Sequence, residues 1–192
     1  MAPVVVAMKG HPGTGKSTLA RAIAAALSCP LLDKDDVRDC TLPVDQFLRH
    51  PTGGAGGSAA ALLNNLSYQV LWRMTETQLQ LGLSVVVDSP LSRRAHLDRL
   101  LEAAGGAAAR VVIVECRPGD EAEWRRRVEE RGRSAGEWHK PANWGELEAL
   151  LEGYGGGADY DLGGVPRLVV DTTAAGRRIE DQVSSVIHFL NA

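Results

Sequence analysis

Nine residues near the start of the chain, Gly10-His11-Pro12-Gly13-Thr14-Gly15-Lys16-Ser17-Thr18, fill every fixed position of the spacing G-x-x-x-x-G-K-[ST]. That spacing suits the cradling of phosphates. Glycines at 10, 13 and 15 let the backbone take positive φ and bring its N–H groups to phosphate oxygens. A helix opening near Lys16 adds its unpaired N–H donors and the positive end of its dipole. Lys16 is then placed for the β- and γ-phosphates, and the Ser17 hydroxyl for Mg²⁺. The flanks agree: Val4-Val5-Val6-Ala7-Met8 reads as a strand, and Leu19 to Leu27 favours helix. The chain is expected to bind a nucleoside triphosphate, ATP, with Mg²⁺.

Acidic residues come next. Asp33-Lys34-Asp35-Asp36-Val37-Arg38 follows a second short strand. Phosphoryl transfer to a hydroxyl uses one carboxylate near the metal and another to take the acceptor's proton. Asp33 and Asp35 face the same side if extended structure persists. A helix N-cap with an acidic first turn is the other reading, and Asp36 fits it well. Val85-Val86-Val87-Asp88 is an apolar strand ending in a carboxylate, suited to holding Mg²⁺ through water or orienting a substrate. Ser92 is a plausible N-cap for the helix that follows, and Arg93 and Arg94 are either acceptor contacts or solvated helix charges.

An arginine-rich helix spans about 119–131, within a lid expected at about 119–142. Arg127 and Arg131 lie four apart and share a face, from which guanidiniums can stabilise a moving phosphoryl group. Arg125 and Arg126 read as surface charges, and Glu123 with Arg127 as an (i, i+4) pair. Trp138 and Trp144 either stack on a base or sugar, or pack the lid onto the body. His139 is a candidate substrate contact, although nothing pairs it with a nucleophile.

The elements that must position these groups alternate. Strand-like runs at Val4–Met8, Pro30–Leu32, Ser84–Val87, Arg110–Glu115 and Arg167–Val170 are separated by helical stretches at 16–28 and about 60–81, 92–104, 119–131, 143–152 and 177–190. This pattern predicts a single α/β domain over 1–192, with a five-stranded parallel sheet and helices on both faces. Gly53 to Ser58 and Gly153 through Gly164 read as loops over the site or as exposed spacers.

Composition adds limits. The 192 residues suffice for one core, and 44% hydrophobic with 23% charged residues is ordinary globular usage. A net charge of −3 argues against a broad nucleic-acid-coating surface. Cys29, Cys40 and Cys116 show no paired spacing and read as reduced thiols. No apolar run is long enough to span a membrane, and the phosphate loop leaves no room for a leader before it. A cytoplasmic location is expected.

The phosphate loop followed by Asp33-x-Asp35 resembles small P-loop kinases such as shikimate and gluconate kinases, which implies a nucleotide-kinase-like parallel sheet ordered 2-3-1-4-5. Lys34-Asp35-Asp36-Val37-Arg38 also resembles the phage-type polynucleotide 5′-kinase domain and the wider AAA-like and zeta-toxin-like kinases. The resemblance implies Asp35 as general base, Arg38 on an acceptor phosphate, and Asp33 on Mg²⁺ through water. It places Asp88 beside the acceptor, as metal holder or substrate contact. Trp124-x-x-Arg127-x-x-x-Arg131-Gly132 is similar to the lid of the same families, where the Arg before Gly clamps phosphates. The loop holding Asp171, Thr172 and Thr173 would border the adenine. The implied activity is transfer of the ATP γ-phosphoryl group to a hydroxyl of a small molecule or nucleotide. An ATP-binding switch acting through a protein partner is the rival, and a polynucleotide 5′-hydroxyl kinase a further, less favoured alternative.

Overall fold

The computed structural model describes residues 2–48, 56–133, 139–155, 158–176 and 178–192, with the side chains of 56–58 left aside. Gly53 to Ala55 and Trp138, singled out above, lie outside the described residues. The chain runs β1 (Val4–Lys9), α1 (Lys16–Leu27), β2 (Leu31–Asp33), α2 (Lys34–Asp39), α3 (Leu42–Leu48), α4 (Gly56–Gln80), β3 (Val85–Asp88) and α5 (Arg94–Gly106). It continues through β4 (Arg110–Arg117), α6 (Glu121–Gly132), α7 (Trp144–Gly153), β5 (Arg167–Asp171) and α8 (Ile179–Asn191). The five strands pair in parallel, as the alternation predicts, in the order β2-β3-β1-β4-β5 that the kinase resemblance implies.

Strand periodicity of two sorts the core into two layers. Val5 and Ala7 of β1, Val85 and Val87 of β3 and Ile113 of β4 pack with Leu71, Trp72, Leu97 and Leu100 of α4 and α5. The alternate residues Val6, Met8, Val86, Val112 and Val114 pack with Leu19 and Ile23 of α1 and Val186 of α8. Central strands buried on both faces account for the near-continuous valine runs. A third cluster, Val128, Trp144 and Leu147 with Trp124 against it, joins α6 to α7.

Several local expectations are corrected. Extended structure does not persist past Asp33: α2 begins at Lys34, and the Asp33 carboxylate caps it, accepting from the Asp35 N–H at 2.9 Å. Ser92 is not a cap, because α5 begins two residues later with Arg93 as its N-cap and no side-chain capping bond. Gly56 to Ser58 belong to α4 rather than to a loop. The second glycine-rich stretch is tethered, since buried Lys9 donates to the Ala158 carbonyl (2.9 Å) and the Tyr160 hydroxyl to that of Leu91 (2.8 Å).

The seat of the 140s segment on α6 depends on a missing side chain. A Cβ at Gly132 would run into the Ala142 carbonyl, whereas one at Gly153, ending α7, would meet nothing within 4 Å. Gly132→Ala is therefore expected to cost about 1–3 kcal/mol in urea unfolding through overpacking. Gly153→Ala should be neutral or stabilising by up to about 1 kcal/mol, from helix propensity alone.

Candidate active site

At the carboxyl edge of the sheet, the turn from β1 into α1 is held open by its glycines. Gly15 adopts φ 79° and caps α1 without any side-chain bond, so the first N–H groups of the helix remain available. Gly13 adopts φ 80°, and a Cβ there would come within 2.5 Å of Val128 Cγ2. The close approach is made by α6, whose Trp124 indole N–H donates to the Pro12 carbonyl at 2.9 Å. Thr14 is fully buried, and its carbonyl accepts from the Thr172 hydroxyl. His11 lies between Trp124 and Tyr154, roughly parallel to both rings at about 6 Å. Burial and the nearby Lys9 lower its pKa.

Lys16, on the first turn of α1, is buried and donates to the fully buried Asp88 at the end of β3. The other oxygen of Asp88, Oδ2, has no hydrogen-bond partner. Strand register sets Asp33 directly beside Asp88. Burial and then the charge of Asp88 push the Asp33 carboxyl up to about 6, against the pull of the Asp35 N–H. Arg21 stands 3.9 Å from Asp33. Ser17 lines the cavity in front of this pair. An orphaned buried carboxylate oxygen, a repelling neighbour and a hydroxyl form a donor set that fits a hydrated Mg²⁺.

One cavity of about 850 Å³ runs from the phosphate loop to α2, α4 and the start of α5. Gly10, His11, Pro12, Gly13, Gly15, Lys16, Ser17, Thr18, Arg127, Arg131 and Thr172 line its nucleotide end. Lys34, Asp35, Arg38, Asn64, Tyr68, Arg93, His96, His139 and Lys140 line the rest. Asp35 sits within 2.9 Å of Lys34 Nζ, 3.0 Å of Lys140 Nζ and 3.3 Å of His139 Nε2. Burial alone would raise its pKa. The His139 hydrogen bond and the two lysines outweigh burial and hold the carboxyl well below the usual range. Asp36 faces solvent.

Arg38 reaches the cavity wall, but its guanidinium donates to Thr41 Oγ1 at 2.5 Å and lies 3.6 Å from the buried Asp45. It thereby ties α2 to α3. Arg127 donates to Glu123 (2.8 Å), and Arg131 to the Pro141 carbonyl (3.0 Å). Arg126 is held by Glu123 and Glu130 on the outer surface, and Arg125 lies 5.5 Å from the centre of the Trp144 ring. Arg94 pairs with Asp98 at the surface, so of the two arginines after β3 it is Arg93 that lines the cavity. The Asp171 carboxylate accepts from Gly119 N–H and from the N–H and hydroxyl of Thr173. Thr173 Oγ1 in turn accepts from Asp120 N–H. Those two side chains shape the loop, and Thr172 faces the cavity.

Lys34, Lys140, Tyr68, His96 and Gln182 also line the cavity and were not singled out from sequence. Ala60, Asn64 and Tyr68 recur every four residues on α4, so a polar position on one helical face was a readable signal. Tyr68 and His96 stack with ring centres 4.0 Å apart. Burial, with Arg93 and Lys34 adding to it, pushes His96 down to about 4. The wall carries Lys16, Arg21, Lys34, Arg38, Arg93, Arg127, Arg131 and Lys140 against the single carboxylate of Asp35 among the described residues. Among them too, no helix is long and apolar enough to cross a membrane.

Comparison with known proteins bears on this arrangement. A presumed kinase from Chloroflexus aurantiacus superposes with a TM-score of 0.73 at 24% identity, covering 98% of this chain and 99% of that one. A gluconokinase from Sinorhizobium meliloti gives 0.58 at 20%, over 99% and 91% of the two chains. Shikimate kinase from Aquifex aeolicus gives 0.59 at 14%, over 97% and 96%. At such identities the likeness is one of fold. No curated protein matches the chain in sequence. The family model described as an AAA domain matches residues 5–153, most of the chain and every element from β1 to α7. The chain belongs to that family, with the P-loop kinase-like fold.

Proposed function

We propose that the protein is an ATP-dependent phosphotransferase that moves the γ-phosphoryl group of ATP to a hydroxyl. The observation that carries this is a shared cavity: the phosphate loop and the Asp35 carboxylate open on the same space, with Arg127 and Arg131 on its wall. In this reading the N–H groups of residues 13–18 and Lys16 hold the triphosphate, and Lys16 leaves Asp88 for the phosphates. Ser17, Asp33 and Asp88 hold Mg²⁺, which would neutralise charge on the phosphate oxygens. Asp35 orients the acceptor hydroxyl and accepts its proton. Arg127 and Arg131 face the charge that spreads over the moving group. A 5′-hydroxyl of a polynucleotide has less support, because Arg38 is engaged by Thr41 and Asp45.

Asp35→Asn should keep ATP affinity and lower transfer by about 10²–10⁴-fold, whereas Asp36→Asn should change little. Labelled ATP with a panel of hydroxyl-bearing metabolites measures this. Acceptor-independent hydrolysis that Asp35→Asn leaves unchanged would favour an ATP-binding switch instead.

Lys16→Ala should weaken ATP binding by about 10–100-fold, the worth of a charge-assisted phosphate contact. It should also destabilise the fold by about 3–5 kcal/mol, because Asp88 is left buried without its cation. Adding Asp88→Asn should restore much of the stability and none of the affinity. Calorimetric titration and thermal unfolding separate the two effects.

Asp33 gives a pH signature in Mg²⁺-free buffer. Its folded-state carboxyl, at about 6, binds a proton more tightly than an unfolded one at about 4. The folded state is therefore favoured below about pH 4 and loses that stabilisation as pH rises through about 6. Asp33→Asn keeps a good N-cap and removes the charge. It should be more stable than the wild type by on the order of 1–3 kcal/mol at pH 7–8, with the advantage vanishing near pH 4. Urea unfolding across that range measures it.

A further inference from the structure

The acceptor end of the cavity carries more positive charge than the proposed reaction itself uses. Asp35 is the single carboxylate lining it among the described residues, with Asp39 3.1 Å from Nδ1 of His139, and two lysine ammoniums lie beside Asp35, Lys34 at 2.9 Å and Lys140 at 3.0 Å. Lys34 is buried, so its charge is not dissipated in solvent. Arg93 lines the same wall and makes no ion pair within 4.0 Å with the described residues. Neither Lys34 nor Arg93 belongs to the phosphate loop or to α6, which serve the nucleotide in the proposed reaction. Cations gathered on one wall, with Lys34 among them buried, repel one another unless an anion joins them.

From this juxtaposition we infer that the acceptor carries an anionic group beside its reacting hydroxyl, held by Lys34 and Arg93 while Asp35 takes the hydroxyl. The inference rests on the phosphotransferase reading above and specifies the substrate class for that site. The anionic group is an oxyanion, carboxylate or phosphate. Tyr68 and His96, stacked on the same wall, offer a flat uncharged face to the carbon skeleton. Neutral polyols of similar size lack the charge that the two cations are placed to meet.

The test fills the phosphate loop first. The protein is saturated with Mg²⁺ and a non-hydrolysable ATP analogue, then titrated with sulfate or with acetate, and backbone amide signals are followed by NMR. Sulfate should bind saturably with a dissociation constant of about 1 mM and shift residues near Asn64 and Tyr68. Arg93→Met and Lys34→Met should each weaken it about tenfold or more, the loss of one charge-assisted contact. Thermal unfolding and analogue affinity report whether the variants remain folded, and Arg93, being exposed, is the safer of the two. Tighter sulfate than acetate assigns a phosphate-bearing acceptor, and the reverse a carboxylate. Absence of saturable anion binding in the nucleotide-filled protein overturns the inference, as does equal binding by both folded variants. Efficient transfer to neutral acceptors would overturn it while leaving the phosphotransferase reading intact. Anion binding here by a protein that transfers phosphoryl to nothing in the panel would overturn that reading, and with it the acceptor role.

Discussion

Lys16 and Asp88 meet where β1 and β3 end, both withdrawn from water. Each charge would be costly to bury alone, and each is tolerable because the other neutralises it. Much of the carboxyl edge follows from this pair. Asp33, adjacent in register, is buried beside the charge of Asp88 and is held protonated up to about pH 6. Asp88 Oδ2 remains without a partner. The edge thus sets two buried acids against one buried cation, with Arg21 reaching Asp33 from the exposed side. In the proposed function a triphosphate and its metal would reverse that balance, the phosphates drawing on Lys16 and the metal on the acids.

The phosphate loop has a second constraint, the weight of α6 on it. Trp124 binds the Pro12 carbonyl, and Val128 packs where Gly13 leaves room. The same helix presents Arg127 and Arg131, one and two turns farther from its start, to the cavity. Arginines on a helix packed directly against the loop are positioned with less conformational freedom than arginines on a free surface segment. Gly132 then lets the Ala142 carbonyl approach, and this brings His139 and Lys140 to Asp35. Loop, arginines and acceptor end are joined through one helix.

Much of the fold was legible because the signals are local and strong. Valine runs of the right length, separated by helical stretches, admit few topologies other than a parallel sheet with crossovers. The phosphate loop is equally local, since its glycines, lysine and hydroxyl are consecutive. What stayed hidden is of two kinds. The stretch 34–48 folds into α2 and α3, and its short apolar content shows no period by which to recognise them. Lys34, Lys140, Tyr68 and His96 come from four separate segments, and only the closing of the chain puts them on one wall. Arg38 illustrates the converse: its motif position suggested substrate, yet Asp45, seven residues on, engages it. Trp144 proved to be packing, edge-on to Trp124 in the α6–α7 cluster.

The low proton affinity of Asp35 looks at first unsuited to a base. In a loose phosphoryl transfer, however, the acceptor hydroxyl loses its proton late, and a carboxylate that orients it suffices for most of the reaction. One of the cations that depress Asp35, Lys34, is also one that the proposed acceptor would engage. An oxyanion that takes up Lys34 would remove one of the three influences holding the carboxyl down, while burial continues to raise it. Acceptor binding would then strengthen the base at the moment a hydroxyl is present, and leave it weak when only water fills the cavity. Under that arrangement, selection of the acceptor and protection of ATP from hydrolysis would both draw on Lys34.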